Sequence, residues 1–176
     1  MAHEVQELTE KEIKIVKGSN MRKNRIYADT SVFGGVFDPE FASFSIRFFD
    51  EVRKGRHVLL MSDITLQELD NAPLQVRQLV AGVPSHMIET HIFNREMGEL
   101  REAYLSAKVV ARRWRDDASH VAVATVVRAD LVVSWNFRHL VKWEKIRAFN
   151  AVNLMLGYPA VTILSPREVI SNEKNV

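Results

Sequence analysis

Asp29, Glu68 and Asp117, together with Asn136, are the residues of this chain whose types and surroundings suit chemistry. Asp29 directly follows the run Arg25-Ile-Tyr-Ala28 and precedes Thr30 and Ser31, two hydroxyls that can orient a carboxylate or hold a water. Glu68 stands four residues after Ile64, which at helical spacing sets a carboxylate on or beside an apolar stripe. Asp116 and Asp117 open a stretch, Ala118 to Val127, that is nearly all small or apolar. That places Asp117 at the mouth of a helix buried all round, where the helix N-terminus favours negative charge. Asn136, just beyond Leu131-Val-Val-Ser134, brings an amide oxygen that a hard cation can use. Three carboxylates at one end of a sheet, with an amide beside them, carry charges that repel one another unless a cation joins them. Oxygen donors without cysteine or a paired-histidine motif favour Mg2+ or Mn2+ over Zn2+. Such an ion activates water and offsets phosphate charge, so the chemistry expected is phosphodiester hydrolysis on nucleic acid.

Each piece alone also has a plainer reading. Asp-Thr-Ser suits a turn or a helix cap, and Glu68 suits a salt bridge or a rim position. N-capping accounts for one aspartate of the Asp116-Asp117 pair but not obviously for both. His120 and His139 can bond a carboxylate, a phosphate or a backbone carbonyl, and a satisfied structural histidine is the simpler role for each. Competing chemistries lack their signatures: there is no Gly-x-Ser-x-Gly elbow, no cysteine nucleophile and no phosphate-cradling glycine loop.

The elements that must position these groups alternate along the chain. Short apolar runs (Ile26 to Val32, His57 to Met61, Met87 to Thr90, Leu131 to Ser134, Val161 to Leu164) take turns with amphipathic stretches. The latter run over Phe41 to Val52, Ile64 to Leu69, Leu74 to Val80, Phe93 to Ala107, Asp117 to Val127 and Ile146 to Leu156. This alternation predicts an α/β fold with a mainly parallel sheet. In such sheets ligands bind beyond the carboxyl ends of the strands, which is where Asp29 and Asn136 fall, whereas Asp130 enters its strand at the opposite end. Asp38-Pro39 reads as an N-cap with a first-turn proline, Ser62 as a cap for the segment from Asp63, and Gly55, Gly82 and Gly157 as helix stops.

At 176 residues, with 47% apolar composition, one domain is expected. Residues 1–24 read as an appendage, 25–170 as the domain and 171–176 as a tail. The absence of cysteine, of a long apolar run and of a signal-like start leads to the expectation of a cytoplasmic protein that does not enter a membrane. A net charge of +2 is too small to prove a polyanionic partner, but Lys108 to Arg115 and Arg138 to Arg147 are locally basic.

As a set, Arg25-Ile-Tyr-Ala-Asp-Thr-Ser-Val-Phe-Gly-Gly35, Ser62-Asp-Ile-Thr-Leu-Gln-Glu-Leu69, Arg115-Asp-Asp-Ala-Ser-His-Val-Ala-Val-Ala124 and Asp130-Leu-Val-Val-Ser-Trp-Asn-Phe-Arg-His139 resemble, in that order, the motifs of a PIN domain. The likeness runs from about residue 25 to Ile170, and Phe149 to Tyr158 with Ser165 to Ile170 resemble a bacterial subgroup of VapC-like proteins with a Ser-Trp-Asn fourth motif. The resemblance implies a three-layer α/β/α domain and a Mg2+- or Mn2+-dependent endoribonuclease, a toxin encoded beside an antitoxin that blocks it. It implies Asp29, Glu68 and Asp117 as the first three acids, with Asp116 in reserve for the third. Asn136 occupies the fourth acidic position, which weakens the expected metal site. Thr30, Ser31 and Ser134 match supporting hydroxyls, His120 and His139 lie beside the motifs, and Arg113, Arg115 and Arg138 are candidate RNA contacts. RNA, an antitoxin and a second copy of the chain are the partners expected. A non-catalytic RNA- or protein-binding module is the alternative, and a phosphatase or DNA nuclease would use the same pocket.

Overall fold

A computed structural model of the chain describes residues 22–172. The expectation of an N-terminal appendage therefore lies outside the described residues except for its last three, and Asn24 already belongs to the first strand. Five strands form one sheet: β1 (Asn24–Ala28), β2 (His57–Ser62), β3 (Ile88–His91), β4 (Leu131–Val133) and β5 (Ile163–Leu164), in the order β3-β2-β1-β4-β5. All four pairings are parallel. Alternation within the strands splits the core in two, as the pleat requires. Tyr27, Leu60 and Val132 face one layer of helices, α5 (Arg95–Ser106), α6 (Arg115–Val126) and α7 (Trp143–Met155). Ile26, Ala28, Leu59, Met61 and Val133 face the other: α1 (Thr30–Gly34), α2 (Ala42–Arg53), α3 (Asp63–Asp70), α4 (Leu74–Ala81) and α8 (Pro166–Asn172). The result is the α/β/α sandwich expected, with a sheet wholly rather than mainly parallel.

Helix punctuation follows the sequence with one exception. Ser62 accepts from the Thr65 N–H at 3.2 Å and caps α3. Gly55 and Gly157 end their helices at φ of 78° and 80°, a region side chains avoid, and Gly82 is the C-cap of α4. The exception is Asp38-Pro39. Asp38 accepts from the Glu40 N–H at 2.9 Å, shaping a turn that precedes α2, and α2 itself starts only at Ala42 with Phe41 in the cap position. The side chain satisfied its own local turn first, which shifted the helix start along the chain. The buried run Ala118 to Thr125 confirms that α6 is covered on every side.

The sheet order reverses between β1 and β4, because from β1 the chain builds outward to β2 and β3 and then returns to the other side for β4 and β5. The crevice beyond the carboxyl ends of β1 and β4 is therefore the place where this topology leaves room for a ligand. Asp130, at the opposite end, receives the Arg25 N–H at 2.8 Å and an Arg22 guanidinium at 3.0 Å, and is structural.

Candidate functional site

Asp29 leaves β1 straight into that crevice, and its backbone N–H extends the ladder to the Val133 carbonyl at 3.2 Å. Although it stands at the N-cap of α1, its carboxylate caps nothing. Instead Ser31 Oγ donates to Oδ1 at 2.5 Å and Ser134 Oγ donates to Oδ2 at 2.7 Å. The two hydroxyls are locked in turn, since Ser31 Oγ accepts the Trp135 N–H and Ser134 Oγ the Asn136 N–H, both at 2.8 Å. Each hydroxyl thus has its proton committed to Asp29, and the carboxylate is held from both sides although it is only 4% exposed. Burial raises the Asp29 pKa above the ordinary aspartate value, and the charge of Asp117 adds to that, against the opposing effects of His120 and the two serines.

Glu68, on α3, takes the Thr30 hydroxyl at 2.6 Å and lies 3.2 Å from His120 Nε2. The other ring nitrogen of His120 meets the Tyr27 hydroxyl at 2.8 Å, and that hydroxyl also reaches Ser62 Oγ at 2.9 Å and Thr65 Oγ1 at 3.0 Å. A buried polar chain therefore runs from the sheet interior to Glu68. Burial pushes the His120 pKa down, but Tyr27, Glu68 and Asp29 outweigh it and hold the imidazole well above its ordinary value. Burial likewise opposes ionisation of Glu68, yet His120 and Thr30 win and its pKa is lowered. Glu68 and His120 thus form a half-buried, hydrogen-bonded ion pair.

Asp117 sits in the first turn of α6, and its carboxylate faces β4. Asn136 Nδ2 donates to Oδ1 at 2.9 Å, and His139 Nδ1 lies 2.8 Å from Oδ2. The N-cap position of α6 is Trp114, so neither Asp116 nor Asp117 caps this helix. Burial raises the Asp117 pKa, with repulsion from Glu68 in the same direction and His139 and His120 against it. Asn136 does not present its oxygen to the crevice as expected: Oδ1 accepts the His139 N–H at 3.0 Å and the nitrogen faces Asp117, since only the amide N–H can donate to a carboxylate.

The structure thus brings together Asp29, Glu68, Asp117, Asn136, Thr30, Ser31, Ser134, His120 and His139, and leaves Asp116 exposed on the outer side. Both histidines bond carboxylates. Arg115 is exposed at the start of α6, while Arg113 and Arg138 place their guanidiniums 5.5 and 5.6 Å from the ring centre of Trp114, which lies 4.4 Å from the His139 ring. Trp114 and Tyr27 were not singled out from the sequence. Trp114 carries a signal, an aromatic among Arg112, Arg113 and Arg115. Tyr27 carries none, because a tyrosine inside an apolar strand looks like core.

Among the described residues no three His, Asp or Glu side chains converge closely enough to share one metal ion. The donor set nevertheless suits a hard cation in kind: oxygen atoms only, and two acids, Asp29 and Asp117, that burial and like charge keep above their ordinary range although each accepts two hydrogen bonds. No described helix is long and apolar enough to cross a membrane.

Neither a family model nor a curated protein matches the sequence. Among solved structures, the crystal structure of VapBC2 from Rickettsia felis bound to a DNA fragment from their promoter contains a similar chain. The match covers 80% of this chain and 98% of that one, with a TM-score of 0.51 and 15% sequence identity. At that identity the likeness is one of fold, that of the parallel α/β/α domain described above.

Proposed function

We propose that this chain is a metal-dependent endoribonuclease of the VapC-like kind, with Asp29 and Asp117 as the carboxylates that hold Mg2+ or Mn2+. The observation that carries the reading is the gathering of Asp29, Glu68 and Asp117 at the topological switch point, with two of the three still destabilised in their charged forms. A cation is the partner such a pair lacks. Two carboxylates, with water and a substrate phosphate oxygen, make up a common Mg2+ shell. When bound, the ion would lower the pKa of a water and offset charge on the phosphate.

The remaining roles belong to the chain itself. Ser31 and Ser134 keep Asp29 from rotating, and His139 with Asn136 does the same for Asp117. Glu68, ionised and tethered by Thr30 and His120, can accept a hydrogen bond from the attacking water. Arg113 and Arg138, braced on Trp114 beside His139, supply positive charge to the phosphates of an RNA strand. The motif resemblance and the fold likeness to a VapBC2 complex bound to promoter DNA support a role as the toxin of a two-protein pair, with a small antitoxin as partner.

One observation favours a second reading, a non-catalytic RNA- or protein-binding module: every carboxylate in the crevice already has two hydrogen-bond partners, and the fourth position is an amide. Purified protein incubated with structured RNA, with and without Mn2+, separates the two. Mn2+-dependent cleavage that disappears in Asp29→Asn and Asp117→Asn is expected. No cleavage with any metal, or cleavage that survives both substitutions, refutes the nuclease reading. Growth arrest on expression without a neighbouring small gene is expected of a toxin, and normal growth with abundant soluble active protein restricts the reading to a nuclease.

A further inference from the structure

Trp135 and Phe137 line an aromatic recess that the carboxylates do not use. Trp135 and Phe137 flank Asn136 in sequence, so the recess adjoins the acidic crevice through that one residue. Its floor is the Trp135 indole, stacked on Phe41 with ring centres 4.4 Å apart and planes 22° from parallel. The indole is fixed, since its N–H donates to Ser45 Oγ at 2.8 Å and a Cβ on Gly35 would come within 2.8 Å of the ring. Phe137 forms a wall 6.0 Å from Trp135 and is 49% exposed. The Arg167 guanidinium lies 5.5 Å over the Phe44 ring, and Glu40 also lines the recess. The cavity measures about 130 Å³, well below the roughly 300–1,000 Å³ of pockets that enclose a whole small molecule.

Resting on the ribonuclease reading above, we infer that this recess takes one unpaired nucleobase of the RNA strand, stacked against the exposed Phe137 ring, with the adjoining phosphate at Arg167. The shape admits a single flat ring presented by something larger. An aromatic wall offers stacking to any base, because every base has a π-face. Arg167 supplies the positive charge of the lining and Glu40 the negative, so the strand's phosphate falls on the Arg167 side. A base paired in a duplex cannot enter without leaving its stack, so the substrate is single-stranded beside the position that Asp29 and Asp117 act on. Exposed Phe137 would otherwise be an apolar ring held in water beside a charged site.

Binding is measured apart from cleavage, by anisotropy of a labelled oligoribonucleotide in metal-free buffer, as a single strand and as the same sequence in a duplex. The single strand is expected to bind at least about tenfold tighter than the duplex, and Phe137→Ala to weaken it about tenfold. Phe137→Trp restores binding, and Arg167→Gln lowers the slope of log affinity against log salt by about one. Circular dichroism and the melting temperature of each variant confirm folding. Single-strand affinity unchanged in Phe137→Ala, equal affinity for duplex and single strand, or no RNA binding overturns the inference, and in the last case the recess belongs to an apolar side chain of a protein partner. Binding as expected without cleavage under any metal leaves the recess and removes the nuclease. Metal-dependent cleavage with an indifferent Phe137→Ala does the reverse.

Discussion

Ser134→Ala isolates the clamp that holds the buried Asp29. In the parent, the hydroxyl donates to Oδ2 at 2.7 Å across 105 residues of sequence and accepts the Asn136 N–H. Asn136 is partly exposed, so its N–H can turn to water; the carboxylate, 4% exposed, cannot replace its lost donor. A hydrogen bond to a buried charge contributes about 1.5–3 kcal/mol and one between neutral groups about 0.5–1.5 kcal/mol. With Asp29 charged the variant should therefore lose about 2 kcal/mol, or roughly 4–8 °C of melting temperature for a chain of this size. The pH dependence gives the stronger test. Because burial raises the Asp29 pKa, the native state binds its proton more tightly than the unfolded chain does. The charged carboxylate's penalty is then present above the folded pKa and relieved as pH falls through it. The deficit of Ser134→Ala should be full above the folded pKa and shrink towards that of a neutral hydrogen bond as pH falls through it, read between about pH 4 and pH 8. Urea unfolding of parent, Ser134→Ala, Asp29→Asn and the double variant across this range provides the readings. A deficit that is the same at both ends, or additive effects in the double variant, would show that Ser134 does not act through the Asp29 charge.

Two further perturbations probe the neighbouring groups. Asn136→Asp replaces the donor to Asp117 with a like charge and should cost roughly 1–3 kcal/mol in metal-free buffer. Mn2+ should raise its melting temperature more than it raises the parent's, and an unchanged metal-free stability or an equal response to Mn2+ would contradict the placement of the cation. For the Glu68–His120 pair, the glutamate's lowered pKa supplies stability present above its ordinary value of 4.5 and lost as pH falls through the folded one. The histidine's raised pKa supplies stability present below 6.5 and lost as pH rises through its folded value. Both contributions are in full between these two ordinary values, and His120→Gln should flatten the profile of unfolding free energy on both sides. Identical profiles for variant and parent would exclude the ion pair.

The layered fold was largely legible in the sequence, because it follows from periodicities that each segment carries by itself. The runs at Ile26, Leu59 and Val132 are apolar on both faces, as strands covered by helices on both sides must be. The uniformly apolar Ala118 to Thr125 could only be a core helix. Asp29 was visible as a polar residue leaving such a strand. Asp38-Pro39 misled because a side chain that caps a turn and one that caps a helix share the same residue type, and only the following backbone distinguishes them.

The electrostatic character of the site was not legible, and the reason is distance along the chain. Asp29 is held by Ser134 from 105 residues away, Glu68 by His120 from 52, and Asp117 by His139 from 22. Sequence spacing cannot order such pairs, since which donor reaches which acceptor depends on the strand order β3-β2-β1-β4-β5 and on rotamers fixed by packing. For the same reason the direction of the Asn136 amide, the Tyr27 hydroxyl at the centre of its polar chain, and the recess between Phe41 and Phe137 emerge only once the sheet is assembled. The sequence by itself determined the α/β alternation and which carboxylates stand at strand exits and helix mouths, because these are local properties of hydrophobic period and residue type. Tertiary structure alone decided which of those carboxylates share a crevice and which stay charged, because burial and charge pairing are properties of the assembled core.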